Sequence, residues 1–300
     1  DRGWMNTNAL TVVDIPGKKL VNTALLDNID RGAANPWGVA VSPDGKYGAV
    51  THAGTHEISV IDRAQLHDRL AKAEAGEQVT EVTSSAQDVP NDLAFLVGIR
   101  RRLKLAGNGP RGLAIAGGKA YAAEYFTGSL GVAALSPETP HRPKSISLGE
   151  EPEVTEVRRG YRYVNDAAFC FQGWQSCATC HPDMRTDGLN WDLLNDGIGN
   201  PRQTKSLFLS HATPPVMITG VRARAEVAVR AGIRYIQFAV RPEEDAEAMD
   251  QYLKQIEPVA SPYLVDGELS ESAKRGEAIF QKAGCANCHP GPLYTDLQKY

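Results

Sequence analysis

Apolar and polar residues alternate along the first half of the chain in short, regularly interrupted runs. Trp37-Gly38-Val39-Ala40-Val41 predicts a strand, Ser42-Pro43-Asp44-Gly45 a turn, and Tyr47-Gly48-Ala49-Val50-Thr51 a second strand. After Ala53-Gly54-Thr55, Glu57-Ile58-Ser59-Val60-Ile61-Asp62 reads as a third. The order returns at residues 109–115, a Gly117-Gly118 turn, residues 119–123 and residues 128–132. Between the two sets, residues 63–104 are rich in Ala, Glu, Lys and Arg and predict a helical insertion followed by a loop.

Short strands repeated with this order of turns are the signature of propeller blades. Residues 35–47, Asn-Pro-Trp-Gly-Val-Ala-Val-Ser-Pro-Asp-Gly-Lys-Tyr, resemble the YVTN-type repeat of seven-bladed β-propellers. Two to three blades fit into residues 1–150, whereas a closed ring needs at least about four. The expectation is a partial propeller whose remaining blades lie outside this chain.

From about residue 151 the period turns helical and a duplication emerges. Arg159-Gly160-x-x-x-Val164 precedes Cys177-Ala178-Thr179-Cys180-His181, and Arg275-Gly276-x-x-x-Phe280 precedes Cys285-Ala286-Asn287-Cys288-His289. Cys-x-x-Cys-His places two thiols to add to the two vinyl groups of a haem, with the adjacent histidine as proximal iron ligand. A structural zinc would bring its two Cys-x-x-Cys pairs within about 20 residues of each other, and a thioredoxin-like pair would need a βαβ setting. Disulfides closing such short loops would stabilise little. Two covalently bound c-type haems are therefore expected, held by Cys177, Cys180 and His181 and by Cys285, Cys288 and His289.

On a helix, a glycine and the residue four positions on share one face, and the glycine lets another helix cross at close range. The Arg-Gly segments thus resemble the N-terminal helix of a cytochrome c domain. Pro242-Glu243-Glu244-Asp245 opens a further helix with acids suited to its dipole, and Ala246, Met249, Leu253 and Ile256 form its apolar face. Ser270 is the expected N-cap of the second Arg-Gly helix. The fold expectation is multidomain: propeller blades over 1–150, then all-α tandem cytochrome c domains over 151–260 and, truncated, 261–300.

A net charge of −4, from 32 basic and 36 acidic residues, with no basic tract interleaved with aromatics, argues against nucleic-acid binding. No apolar run approaches the roughly 18 residues that span a bilayer. Of the five cysteines, only Cys170 lies outside the motifs, and it reads as a buried thiol beside Phe169 and Phe171. Covalent haem attachment takes place outside the bacterial cytoplasmic membrane. A periplasmic or extracellular location is expected, with a leader removed ahead of Asp1.

The sixth iron position decides between electron relay and substrate chemistry. His211, in Leu-Ser-His-Ala-Thr-Pro-Pro, is the first choice for the first haem, with His52, His56, His67, His141, Met184 and Met217 as further candidates and Met249 read as core. The distal ligand of the second haem is expected after Tyr300. Trp174 and Trp191 flank the first motif and suit either electron transfer or packing on a porphyrin edge.

Residues 151–300 resemble the bacterial dihaem cytochrome c peroxidase and methylamine-utilisation dihaem oxidase superfamily, in its propeller-fused branch. The match is carried by residues 159–166, 176–181, Asp187-Gly188, residues 196–207, Arg275-Gly276 and residues 288–296. The resemblance implies a substrate-reacting first haem, a relaying second haem, a calcium ion between the domains and a small redox protein as electron partner. It also implies an acid at the position occupied by Arg241, where a guanidinium cannot accept a proton, so peroxidase turnover is expected to be weak unless Glu243 or Glu244 substitutes.

Overall fold

Strands form where the alternation puts them, and each set folds as one antiparallel meander. The computed structural model describes residues 6–139, 142–150, 153–192, 199–217 and 219–298. A hairpin, β1 (Ala9–Asp14) with β2 (Lys19–Leu25), comes first. The first meander contains β3 (Pro36–Val41), β4 (Tyr47–His52), β5 (Glu57–Asp62) and, beyond the insertion, β6 (Arg100–Lys104). The second contains β7 (Pro110–Ala116), β8 (Lys119–Glu124), β9 (Ser129–Ala134) and β10 (Lys144–Ser147). Four strands in chain order per sheet is the topology of a propeller blade. At the β7–β8 turn Gly117 (φ 53°) and Gly118 (φ 71°) both take the left-handed conformation that a tight two-residue hairpin requires.

The insertion is shorter than expected at its end, because residues 100–104 rejoin the sheet as its fourth strand. Its helix, α1 (Arg63–Glu74), is capped by Asp62, whose carboxylate accepts the Gln65 N–H at 3.0 Å. Leu66, Leu70 and Ala73 of α1 pack with Val50, Ile61, Phe95, Leu96 and Ile99 on one face of the first sheet. On the other face Ile58, Val60 and Ala49 meet Ala120, Ala122 and Ala133 of the second sheet. β5 is thus covered on both sides, so Glu57 is buried within it and is neutralised by Arg31 and Arg102. The strands β3 and β7 approach at Gly38, where Thr51 Oγ accepts the Gly38 N–H and donates to the Arg111 carbonyl, both at 2.8 Å.

The chain divides into two units, one made of Asp1–Val154, Arg162–Cys180 and Gln237–Ala239, the other of Thr155–Tyr161, His181–Ile236 and Val240–Tyr300. This differs from the three-segment division read from the sequence, since the residues leading to the first motif pack with the sheets.

The all-α expectation for the second half is corrected. The helices there are α2 (Glu156–Asn165), the single turn α3 (Cys177–Cys180), α4 (Ala225–Tyr235), α5 (Glu243–Lys254) and α6 (Glu271–Lys282). A two-stranded ladder, β11 (Asn190–Trp191) with β12 (Arg202–Gln203), and extended turns fill much of the rest. The chain is mixed, with strands in both halves. The physical reason lies in Pro182, Pro201, Pro214, Pro215, Gly188, Gly199 and Gly220, which break helical propagation between the first motif and α4.

The two Arg-Gly helices differ in their surroundings. In the second unit, a Cβ at Gly160 would overlap the Ala248 carbonyl of α5 and lie 2.8 Å from Tyr252 Cβ, so α2 and α5 cross there in direct backbone contact. Tyr161 and Tyr252 pack beside the crossing, ring centroids 4.9 Å apart. Ala246, Met249 and Leu253 of α5 are buried as the sequence indicated, whereas Ile256, expected on the same face, follows the helix end at Lys254 and is only half-buried. Ser270 caps α6, its hydroxyl accepting the Ala273 N–H at 3.2 Å. A methyl placed on Gly276 would meet no described atom within 4 Å, and no residue of α6 is buried. Among the described residues no helix is long and apolar enough to cross a membrane.

Candidate functional site

The segment leading to the first motif is held within the sheet unit by a series of specific bonds. Asp166 caps the turn Ala167–Phe169 by accepting the Ala168 N–H at 2.8 Å. The same oxygen faces His56 Nε2 at 3.1 Å, while His56 Nδ1 accepts the Gly109 N–H at 3.0 Å. Gly32 donates to the Gln172 carbonyl (2.9 Å) and Asn8 Nδ2 to the Trp174 carbonyl (3.2 Å). Directly before α3, the Ser176 N–H donates to Thr179 Oγ at 2.9 Å, the backward half of a capping box. Thr179 Oγ donates to Asn35 Oδ1 (2.6 Å), and Asn35 Nδ2 donates to Ser176 Oγ (2.8 Å).

All five cysteines are thiols rather than disulfides. Desolvation pushes the Cys177 thiol up to about 11. Cys170 is buried, as its apolar neighbours indicated, and burial raises its thiol too. In the second motif Gly284 (φ 78°) ends α6, and Cys285–Asn287 form a 3-10 turn. Cys285 and Cys288 are exposed. Ile279 and Tyr294 lie exposed nearby, Tyr294 edge-on to Phe280 at 5.9 Å between centroids.

Both motif histidines are oriented by a carbonyl a few residues on. His181 Nδ1 donates to Arg185 O at 3.3 Å, and His289 Nδ1 donates to Tyr294 O at 3.0 Å. Anchoring one ring nitrogen to a backbone carbonyl fixes the tautomer and leaves the lone pair on Nε2, the arrangement that metal-ligating histidines use. Desolvation holds the His181 imidazole below the ordinary histidine range, against the opposing pull of the Arg185 and Lys205 backbone. A paired-thiol turn, a carbonyl-anchored neutral imidazole and, at the second motif, exposed apolar side chains form a donor set that fits a thioether-linked porphyrin.

The remaining sequence candidates fall elsewhere. His52 is fully buried, with Nδ1 on the Ala33 carbonyl (3.1 Å) and Nε2 on Ser59 Oγ (2.7 Å), and desolvation lowers it to about 3. His56 is likewise buried, with both ring nitrogens engaged. The His211 side chain is also largely enclosed. Its Nε2 bonds to Asp250 Oδ1 at 2.9 Å, and Ser210 Oγ lies 3.4 Å from Nδ1. Asp250 pairs with Arg230, which reaches Glu243 at 2.5 Å. Arg241 pairs with Asp245 at 2.8 Å on the first turn of α5. Met249 and Met184 are core, while Met217 is exposed. Trp174 Nε1 donates to Gln172 Oε1 at 3.3 Å and Trp191 Nε1 to Asp187 Oδ2 at 2.8 Å. His141 and Asp196-Gly197-Ile198 lie outside the described residues.

Among the described residues no group of three or more His, Cys, Asp and Glu could hold a metal ion, so no side-chain cage for calcium is seen there. A cleft of about 630 Å³ in the second unit is lined chiefly by Glu226, Arg230, Glu247, Asp250 and Lys254, a charged wall unsuited to a porphyrin face. Asn35, Asp250 and Arg230 are the partners that sequence reasoning missed. Their contacts join residues far apart in the chain, and no local pattern marks them.

The thiols differ enough to be told apart chemically. The thiolate is the nucleophile, so at pH 8 only about one Cys177 in a thousand would react as such, whereas Cys285 and Cys288 stand in solvent. Alkylation of the haem-free chain, read by peptide mass spectrometry, is expected at Cys285 and Cys288 first. Labelling of Cys177 should keep rising with pH up to about 11. Equal labelling of the three at pH 8 would contradict the desolvation of the Cys177 sulfur.

No family model matches the chain. Over 165 residues it is 35% identical to hydrazine synthase subunit gamma of Kuenenia stuttgartiensis, a stretch covering 48% of this chain and 47% of that protein. The match thus spans about half the length of that relative. Among solved structures, K. stuttgartiensis hydrazine synthase overlaps 43% of this chain and 35% of its own, at 24% identity and a TM-score of 0.36. Virginiamycin B lyase of Staphylococcus aureus overlaps 47% and 35%, at 12% identity and a TM-score of 0.29.

These findings correct the family resemblance drawn from the sequence. The similarity runs to the hydrazine synthase gamma subunit, and membership of the dihaem peroxidase and methylamine-utilisation oxidase superfamily is not upheld. The roles that rested on that resemblance alone lose their support: peroxide chemistry at the first haem, a displaced acid at Arg241 and an interdomain calcium. The Cys-x-x-Cys-His motifs stand on their own residues and do not depend on it.

Proposed function

We propose that this chain is a redox subunit of a multi-subunit assembly. Its blade-like sheets serve as a binding scaffold, and two covalently held haems act as an electron relay. The observation that carries the reading is the pair of Cys-x-x-Cys-His motifs, each with its histidine anchored through Nδ1 to a following carbonyl. Similarity to a protein described as a subunit of hydrazine synthase supports a place in a larger complex.

Cys177 and Cys180 would hold one haem and Cys285 and Cys288 the other, with His181 and His289 as proximal ligands. When bound, the haem supplies an iron that cycles by one electron. The chain's own residues set the ligand geometry: the Arg185 and Tyr294 carbonyls orient the two imidazoles through Nδ1 and leave Nε2 as the ligating nitrogen. His211 has its Nε2 on the Asp250 carboxylate, so Nδ1 is the nitrogen it would offer to an iron. Covalent attachment of this type places the protein in the periplasm or outside the cell, where a small redox protein or a neighbouring subunit would exchange electrons with it.

Pyridine haemochrome analysis and intact mass on protein matured with a c-type attachment system should give two haems per chain. One haem would remove one motif from the reading, and none would overturn it.

A further inference from the structure

We propose that Asn35, in the loop before β3, is a positioning residue that presents the first thiol pair for haem attachment, an inference that rests on the haem reading above. Its side chain bonds on both sides of Cys177. Oδ1 accepts from Thr179, between the two cysteines, and Nδ2 donates to Ser176, directly before them. Both cysteines of α3 are thereby tied to the sheets through the residue that precedes each of them, Ser176 before Cys177 and Thr179 before Cys180.

Three further observations give the contact direction. Asn35 adopts φ 57°, a left-handed conformation uncommon for a residue with a side chain, and it precedes Pro36, which restricts it further. Strained backbone of this kind persists where its surroundings over-determine it. Those surroundings are built: the Asn35 N–H donates to Asn8 Oδ1 at 3.3 Å, Asn8 Nδ2 donates to Asp27 Oδ1 at 2.9 Å, and Ala33 N–H donates to the same oxygen at 2.7 Å. A polar chain therefore runs from a fully buried carboxylate, Asp27, to the turn carrying Cys177 and Cys180. The second motif sits on an exposed turn after α6, shaped by its own backbone, with the Asn287 N–H donating to the Gly284 carbonyl at 3.1 Å.

Attachment is an addition. Each S–H adds across a vinyl C=C, sulfur to one carbon and hydrogen to the other, with nothing oxidised and no group lost. What the protein must supply is the placement of two sulfurs about one helical turn apart, and Asn35 holds that turn in shape from outside it.

The test compares the parent chain with Asn35→Ala, Thr179→Val and Thr179→Ser after c-type maturation. Thioether occupancy is read separately at each motif by peptide mass spectrometry. Cys177 and Cys180 alkylation rates are measured on the haem-free chain. Asn35→Ala and Thr179→Val are expected to lower occupancy at the first motif at least threefold and to raise the alkylation rates severalfold, with the second motif unchanged. Thr179→Ser, which keeps the hydroxyl, should behave as the parent. Unchanged occupancy at the first motif in a well-loaded parent would overturn the role of Asn35 and leave the haem reading intact. Equal loss at both motifs would also overturn it, as a general folding effect. A parent without haem at either motif would overturn the haem reading, and this inference with it.

Discussion

Replacing Gly160 by alanine is expected to destabilise the second unit by about 2 kcal/mol, while the same change at Gly276 stabilises by up to about 1 kcal/mol. The opposite signs follow from the surroundings of two identical Arg-Gly pairs. At Gly160 the added methyl has no room, because the Ala248 carbonyl occupies its place and Tyr252 closes the other side. The helices must separate, and the Tyr161–Tyr252 packing loosens with them. At Gly276 the methyl meets nothing within 4 Å, so only the gain in helix propensity remains. Denaturant midpoints followed by far-ultraviolet circular dichroism measure both. Equal effects in the same direction would mean that α2 and α5 do not cross in backbone contact.

The second large effect is acid sensitivity of the sheet unit. His52 is enclosed between the Ala33 carbonyl and the Ser59 hydroxyl. Desolvation first, then the nearby Arg102 and Arg100, holds its imidazole near 3 against an ordinary value of 6.5. Between those two values an unfolded chain takes up a proton that the folded chain refuses. The contribution of the neutral ring is complete above pH 6.5 and is lost as pH falls toward 3, at up to about 1.4 kcal/mol per pH unit. Asp27, whose carboxyl is raised by burial, bends the curve the other way, so the comparison must be with a variant. His52→Gln should flatten the slope of unfolding free energy between pH 6.5 and about 4. An unaltered slope would place the ring in solvent contact.

The blades were legible because their physics is local. Alternation marks a half-buried strand, and glycine and proline mark its ends, so β3, β4, β5, β7, β8 and β9 lie close to where the pattern put them. β6 escaped notice because Arg100, Arg101 and Arg102 read as a charged loop. In the fold their guanidinium groups bond to the carbonyls of Leu26, Leu135 and Arg31, and their backbone completes the sheet. The second half misled for the opposite reason. Two short motifs with well-understood chemistry coloured the whole region as helical, while the prolines between them already forbade it. The capping of α6 and the apolar face of α5 were readable for the same local reasons as the strands.

The motif residues themselves were fully visible, and their supports were not. A carbonyl that anchors His289, or an asparagine more than a hundred positions away that bonds Thr179, follows from tertiary proximity and leaves no trace in spacing. His211 illustrates the limit well: the sequence offers a histidine before paired prolines, and only the fold brings Asp250 of α5 to its ring.

The first meander carries a kinetic cost that the second does not. β4 and β5 can zip from a short turn, but β6 must return across residues 63–99 before Ile58 finds Leu103. Lengthening such an excursion adds only about 0.6 kcal/mol of closure entropy per doubling, so the equilibrium barely notices. Rates respond more strongly to distant pairing. The second meander, joined by tight connections for most of its length, is therefore positioned to form early and to offer its alanine-lined surface as a template on which the interrupted sheet is completed.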